Sequence, residues 1–246
     1  MFKFKSYNGL AEIQRDTTNE EKNRWFLEID NMEALKEEPM SAYDPNLQSI
    51  TYVLYSNTAT RKRKIYSYSD VAQSYYANVN VEVDKKVEKK ISSLLKTSKA
   101  LDSSDKEQQL RTLEQYIKTN FVYQSFSHPD LGNLAFILEN KMASKLGLIR
   151  LYVACLKKLD IDYNLVLTTN RFETKFDKEF ESYSFLSDEL IYLPKLKKYL
   201  APTAVFSRLE YIPFAYTNNY GLFIKPVTVG EYNSAVGKIK MIKPLG

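Results

Sequence analysis

Thiol and imidazole groups, the usual carriers of nucleophilic and proton-transfer chemistry, are scarce in this chain, so each can be weighed by its setting. There is one cysteine, Cys155, and one histidine, His128. A thiol enzyme needs a thiolate, an imidazole to move the proton and a carboxylate to orient the ring. Cys155 lies in the run Leu148-Ile149-Arg150-Leu151-Tyr152-Val153-Ala154-Cys155-Leu156, apolar on nearly every side. That pattern predicts a buried helix, where a free cysteine is a small core hydrophobe. His128 sits in the turn-like segment Ser127-His128-Pro129-Asp130 and reads as a surface-loop histidine without acid–base or metal partners. Ser144-Lys145 would form a serine–lysine dyad only if the amine reached the hydroxyl in a dry pocket. Neighbouring residues at a helix start point in different directions, which argues against it. Neither a metal nor a cofactor is expected.

The elements that must hold these residues lie in the second part of the chain. Ser104-Asp105-Lys106-Glu107 is a capping-box pattern, followed by a stripe of Leu110, Leu113 and Ile117 and an end at Asn120. Phe121-Val122-Tyr123 predicts a short strand. A helix over 134–141 leads into a turn and then a central buried helix of about 146–159. A first strand is expected over 162–169. Leu190-Ile191-Tyr192-Leu193 and Lys198-Tyr199-Leu200 are expected to pair as a hairpin. From Arg208 to Gly246 the residues suggest peripheral strands and turns, with Tyr211, Phe214, Tyr216 and Tyr220 either packed or lining a groove.

Several segments resemble the bacterial transglutaminase-like superfamily, whose papain-like core carries a Cys-His-Asp triad. Lys141-Met142-Ala143-Ser144-Lys145 through Asp160-Ile161 is similar to the family's nucleophile turn, helix and Gly-Ile. Tyr116 to Tyr123 resembles its Tyr-Ile-Lys-x-Asn-x-x-Tyr segment. Ser187-Asp188-Glu189-Leu190-Ile191-Tyr192 resembles its histidine strand, and Tyr199-Leu200-Ala201-Pro202-Thr203 its Leu-Asp-Pro-Thr. The resemblance implies an α+β fold, a central buried helix packed on an antiparallel sheet. It puts Lys145, Glu189 and Ala201 in the three triad slots, so no catalytic residue is expected. Restoring Cys, His and Asp there is expected to bring the three side chains within reach.

The family sets its cysteine at the positive end of the central helix, where a lysine suits poorly. Either Glu189 compensates the charge or Lys145 points into water. A buried pair predicts that Glu189→Gln costs about 1–3 kcal/mol. The function this implies is an inactive domain that binds a peptide, glycan or protein partner within a multidomain envelope protein. The alternative is an active protease or amide-exchange enzyme using non-standard residues.

Residues 1–84 read as mostly β, with a turn at Asn8-Gly9, a short buried strand at Trp25 to Ile29 and another over Ile50 to Tyr55. This part, including Asn31 to Pro39, resembles the end of the β-sandwich that often precedes the family's core in bacterial envelope proteins. A periplasmic or envelope setting follows from that resemblance alone. Residues 85–104 are a charged helical connector with Val87 and Ile91 on one face, and 105–246 are the core with its C-terminal extended segment.

Composition fits a globular protein: 246 residues, 44% apolar and 26% charged, with aromatic content raised to 13% by 19 Tyr. One cysteine excludes an internal disulfide framework. The net charge of +5 is mild, and its densest run, Arg61-Lys62-Arg63-Lys64, reads as an exposed turn or strand edge. Nucleic acid is not an expected partner, because no stacking motif accompanies that run. No stretch is apolar enough to span a membrane. The start Met1-Phe2-Lys3-Phe4-Lys5 looks like a strand in progress, so the chain is expected to begin inside a larger protein.

Overall fold

The computed structural model describes residues 1–18, 23–32, 34–39, 41–57, 59–126 and 128–244, without the side chains of Lys62 and Arg63. Ser127, Glu33 and Gly246, which figure in the sequence expectations, lie outside the described residues.

The fold is α+β. Its centre is a five-stranded antiparallel sheet in the order β11-β10-β9-β12-β13, built from β9 (Asn164–Thr168), β10 (Asp188–Leu193), β11 (Lys198–Leu200), β12 (Asn219–Val229) and β13 (Tyr232–Ile242). Side chains alternate across it. Leu165, Leu167, Ile191, Leu222 and Ile224 face a helical layer, while Val166, Leu190, Tyr199 and Phe223 form a second cluster on the other face.

Helices α2 (Tyr68–Val79), α3 (Lys85–Thr97), α4 (Lys106–Asn120), α5 (Leu134–Asn140) and α6 (Lys145–Lys158) make up the helical layer. Leu148, Ile149, Leu151, Tyr152, Val153, Cys155 and Leu156 bury most of the circumference of α6, as its all-round apolar run requires. The cap of α4 is Asp105 rather than Ser104, its carboxylate accepting from the Glu107 and Gln108 amides. α2 ends at Asn80, and Asp84 caps α3 by accepting from the Val87 amide. The amphipathic α3 packs Val87, Ile91, Leu94 and Leu95 into the main core cluster.

Two further expectations change. The buried cluster, expected over 105–246, extends back to Tyr66, because Tyr68, Val71, Ala72, Tyr76 and Val79 of α2 join it and the helix lies on β13. The C-terminal segment is also not peripheral. β12 pairs with β9 in the middle of the sheet, with Leu222, Phe223 and Ile224 buried.

Residues 1–84 were expected to be mostly β, yet they include α2, and the strands before it form three separate two-stranded sheets rather than a sandwich. β1 (Phe2–Tyr7) pairs with β4 (Ser49–Leu54), β2 (Gln14–Arg15) with β3 (Trp25–Phe26), and β5 (Ser56–Asn57) with β6 (Lys62–Arg63). The strand at Trp25 is half-buried and Phe26 exposed, not buried. A single helical turn, α1 (Tyr43–Asn46), lies between β3 and β4. Between α4 and α6, β7 (Val122–Tyr123) and β8 (Met142–Ala143) pair in parallel and carry the chain into the site.

Candidate functional site

The site is built around the first turn of α6. Ser144 is its N-cap: the hydroxyl accepts from the Gly147 amide at 3.2 Å and donates to the Leu131 carbonyl at 3.1 Å. Both roles occupy the hydroxyl in holding the helix start, so it is not presented to Lys145 as a nucleophile. The Leu131 backbone comes so close that a Cβ on Gly147 would meet its carbonyl oxygen at 2.0 Å. Only glycine permits that approach, and it pins the 129–132 turn onto the start of α6.

Lys145 is the first residue of the helix. Its amine donates to the Ser187 carbonyl at 2.6 Å and lies 3.9 Å from Glu189 Oε2. Glu189, in β10, stands opposite Leu167 of β9, and its carboxylate turns to the helical side. The structure therefore brings Lys145 and Glu189 together. The pair is asymmetric: the Lys145 side chain is 34% exposed and that of Glu189 15%.

Burial dominates the Glu189 carboxyl. Desolvation raises its pKa from 4.5 to about 7, against the Lys145 charge and the Tyr75 hydroxyl, which lower it, and with Asp188, which raises it further. Tyr75, from α2, is the neighbour the sequence did not point to. Burial lifts its phenol well above the ordinary range, and the Glu189 charge adds to this. Although Tyr75 and Glu189 influence each other, neither the Tyr75 hydroxyl nor Glu189 Oε2 makes a hydrogen bond of ordinary geometry among the described residues. Two polar atoms are thus left open at the back of the site.

In front lies a cleft of about 550 Å³, lined by Lys145, Glu189, Ser144, Arg150, Phe126 and His128 among others. His128 is a surface residue, as expected, yet it also borders this cleft. Its Nδ1 accepts from the Asp130 amide at 3.3 Å, which caps the 129–132 turn that Gly147 holds against α6. No local pattern announces this, because the contact depends on chain separated by a whole helix. Arg150 is engaged with backbone, donating to the Asn78 carbonyl at 2.8 Å and the Gly132 carbonyl at 2.6 Å.

Two other residues stand apart. Cys155 is fully buried inside α6, its thiol pushed up to about 12 by burial, and roughly 15 Å from the helix start at the usual rise per residue. Ala201 is not brought to the pair. The register Ile191 to Leu200 sets Ala201 beside Leu190, on the sheet face away from α6, where it packs with Val166, Tyr199 and Phe223. A residue placed there points away from Glu189, since side chains alternate along a strand. The expected three-way meeting thus reduces to two positions, 145 and 189. Among the described residues, no three His, Cys, Asp or Glu side chains gather as metal ligands do.

No protein-family profile matches the chain, and no curated protein does. A solved structure described as the crystal structure of a TGase is similar to it, with a TM-score of 0.36 and 15% identity. The similarity covers 59% of this chain and 40% of that one, so the chain spans about two fifths of the structure it matches. A likeness this slight carries no weight for activity, substrate or partner.

Proposed function

We propose that the chain is a transglutaminase-like core without cysteine chemistry, which binds a peptide, glycan or protein partner inside a larger bacterial envelope protein. One observation carries this reading. The first residue of the buried helix, facing the sheet where the family keeps its nucleophile, is Lys145, closed onto the Ser187 carbonyl and Glu189. The chain's one thiol is sealed in the core and held protonated. A thiol in that state is not a nucleophile at neutral pH. The envelope setting draws its support from the sequence resemblance alone.

An assay for amine incorporation into casein and for peptide hydrolysis tests the reading. No turnover is expected. Turnover abolished by Lys145→Ala or by Cys155→Ser overturns it. A different observation favours an active enzyme: a carboxyl with a pKa of about 7, bordering a cleft, suits general acid–base work at neutral pH. Turnover that follows a single ionisation near pH 7 and vanishes in Glu189→Gln would establish that alternative.

A further inference from the structure

A second, wider cleft of about 870 Å³ lies on the opposite face of the sheet from α6. Its floor is a trio of rings from three strands: Tyr192 of β10, Tyr199 of β11 and Phe223 of β12. Their centroids are 4.8, 5.5 and 6.3 Å apart. Tyr211 forms an exposed wall. The charged lining is one-sided, with Lys197, Lys198, Lys240 and Lys243 against the carboxylate of Glu210.

That carboxylate is already occupied. Glu210 pairs with Arg111 and with Lys198, and hydrogen bonds from these two hold its pKa below the usual carboxylate range. Lys198 also pairs with Glu107 at 2.6 Å. Among the described residues, Lys197, Lys240 and Lys243 pair with no carboxylate. The Lys240 ammonium instead sits over the Phe223 ring, 5.6 Å from its centroid. A neighbouring cleft of about 820 Å³ shares Tyr192 and Lys240; it adds Lys157 and Lys225, together with Asp160 and with Asp162, which pairs with Lys195 at 2.9 Å.

We propose that this groove binds an extended acidic peptide of a partner protein. Its carboxylates would rest on Lys197, Lys240 and Lys243, and an apolar side chain on Tyr192 and Tyr211. Charge complementarity selects the sign of the partner. The ring geometry selects its class. Tyr199 and Phe223 are buried and packed edge-on at 71°, so they offer no open faces for nucleic-acid bases to stack on. A lipid surface would meet a concave groove rather than a protruding apolar edge. An acidic peptide needs only ammonium groups and a partly apolar floor, and both are present. The inference does not depend on whether the Lys145 cleft is catalytic.

Fluorescence anisotropy with a short fluorescein-labelled Glu-rich peptide carrying Leu tests it. The probes beside it are the same peptide with Gln for Glu, and labelled oligothymidylate. Saturable binding is expected for the Glu peptide and not for the Gln peptide. Lys240→Glu with Lys243→Glu should weaken it about tenfold or more, whereas Lys240→Arg should keep it. If the double variant fails to fold, Lys243→Glu alone, in the exposed tail beyond β13, should still weaken binding about threefold. Three results would overturn the proposal: no saturable binding at about millimolar peptide, affinity unchanged by charge reversal, or tighter binding of oligothymidylate.

Discussion

At the scale of single residues, Glu189 shows which of two opposing effects wins. An ion pair with Lys145 would lower its pKa, and burial raises it; the outcome is about 7, so burial prevails. The sequence-based expectation that Glu189→Gln destabilises therefore reverses at alkaline pH. The native carboxyl binds its proton more tightly than the unfolded one, whose pKa is near 4.5. Between those values the native state holds more protons, so stability falls as pH rises. The stabilisation is fully present below about pH 4.5 and is lost by pH 8, on the order of 3 kcal/mol at 1.36 kcal/mol per pKa unit. Glu189→Gln should flatten that slope. The variant should be at least as stable as the native protein at pH 8 and lose its advantage at pH 5. Urea unfolding at the two pH values checks this, and a native slope that survives the substitution would refute it.

The same residue shows how far the sequence could be read. Register from the helix end places Lys145 within one residue of its true position, because an all-round apolar run and a Ser cap leave little freedom. Glu189 reaches it because β10 and α6 belong to one compact layer pair. Ala201 fails because a strand assignment fixes neither parity nor the partner's register, and one residue flips the face. Tyr75 was not legible at all, and His128 was legible as a surface residue but not as a border of the cleft. They enter through α2 and the 129–132 turn, whose docking is set by close approaches such as that at Gly147.

At the scale of elements, the loop after β11 is held by charges buried against α4. Glu114 and Lys118 are 1% and 3% exposed, one helical turn apart, with the amine 2.8 Å from Glu114 Oε1. That oxygen is held by charge rather than by a well-directed hydrogen bond. The other oxygen accepts from the Leu209 amide at 2.8 Å. Lys118 also donates to the Ser207 carbonyl and hydroxyl, at 2.8 and 3.1 Å. Burial lowers the Lys118 pKa, opposed by Glu114. Periodicity alone could not find this pair, because 114 and 118 look like an ordinary solvated helix face until a distant loop covers them. Removing one member strands the other, so Lys118→Met should cost about 3–5 kcal/mol. Adding Glu114→Gln should recover part of that loss, since Gln still accepts from Leu209 and carries no charge. Denaturant midpoints of the two variants check the order, and equal midpoints would show that the stranded charge is not the cause.

At the scale of the whole molecule, the two ends of the chain are unequally secured. Among the described residues none before Tyr66 belongs to the buried core, and β1 and β4 touch it chiefly through the half-buried Tyr7 and Val53. Tyr7 donates to Asp177 at 2.9 Å and Lys5 pairs with the same carboxylate. Phe4 lies against Trp25, centroids 4.9 Å apart, in a small aromatic group that includes the exposed Tyr52. Segments with few buried contacts open at lower free energy than the core. Trp25 is the chain's one tryptophan, so its fluorescence reports this region alone, while far-UV dichroism reports the five longer helices. The Trp25 transition should therefore precede the loss of helix in a urea titration. Asp177→Asn removes the charge that anchors Lys5 and Tyr7, and should move the Trp25 midpoint down while leaving the helical midpoint nearly in place. Coincident transitions in the native protein would instead mean that the N-terminal strands and the core unfold as one cooperative unit, with the Asp177 contact strong enough to couple them.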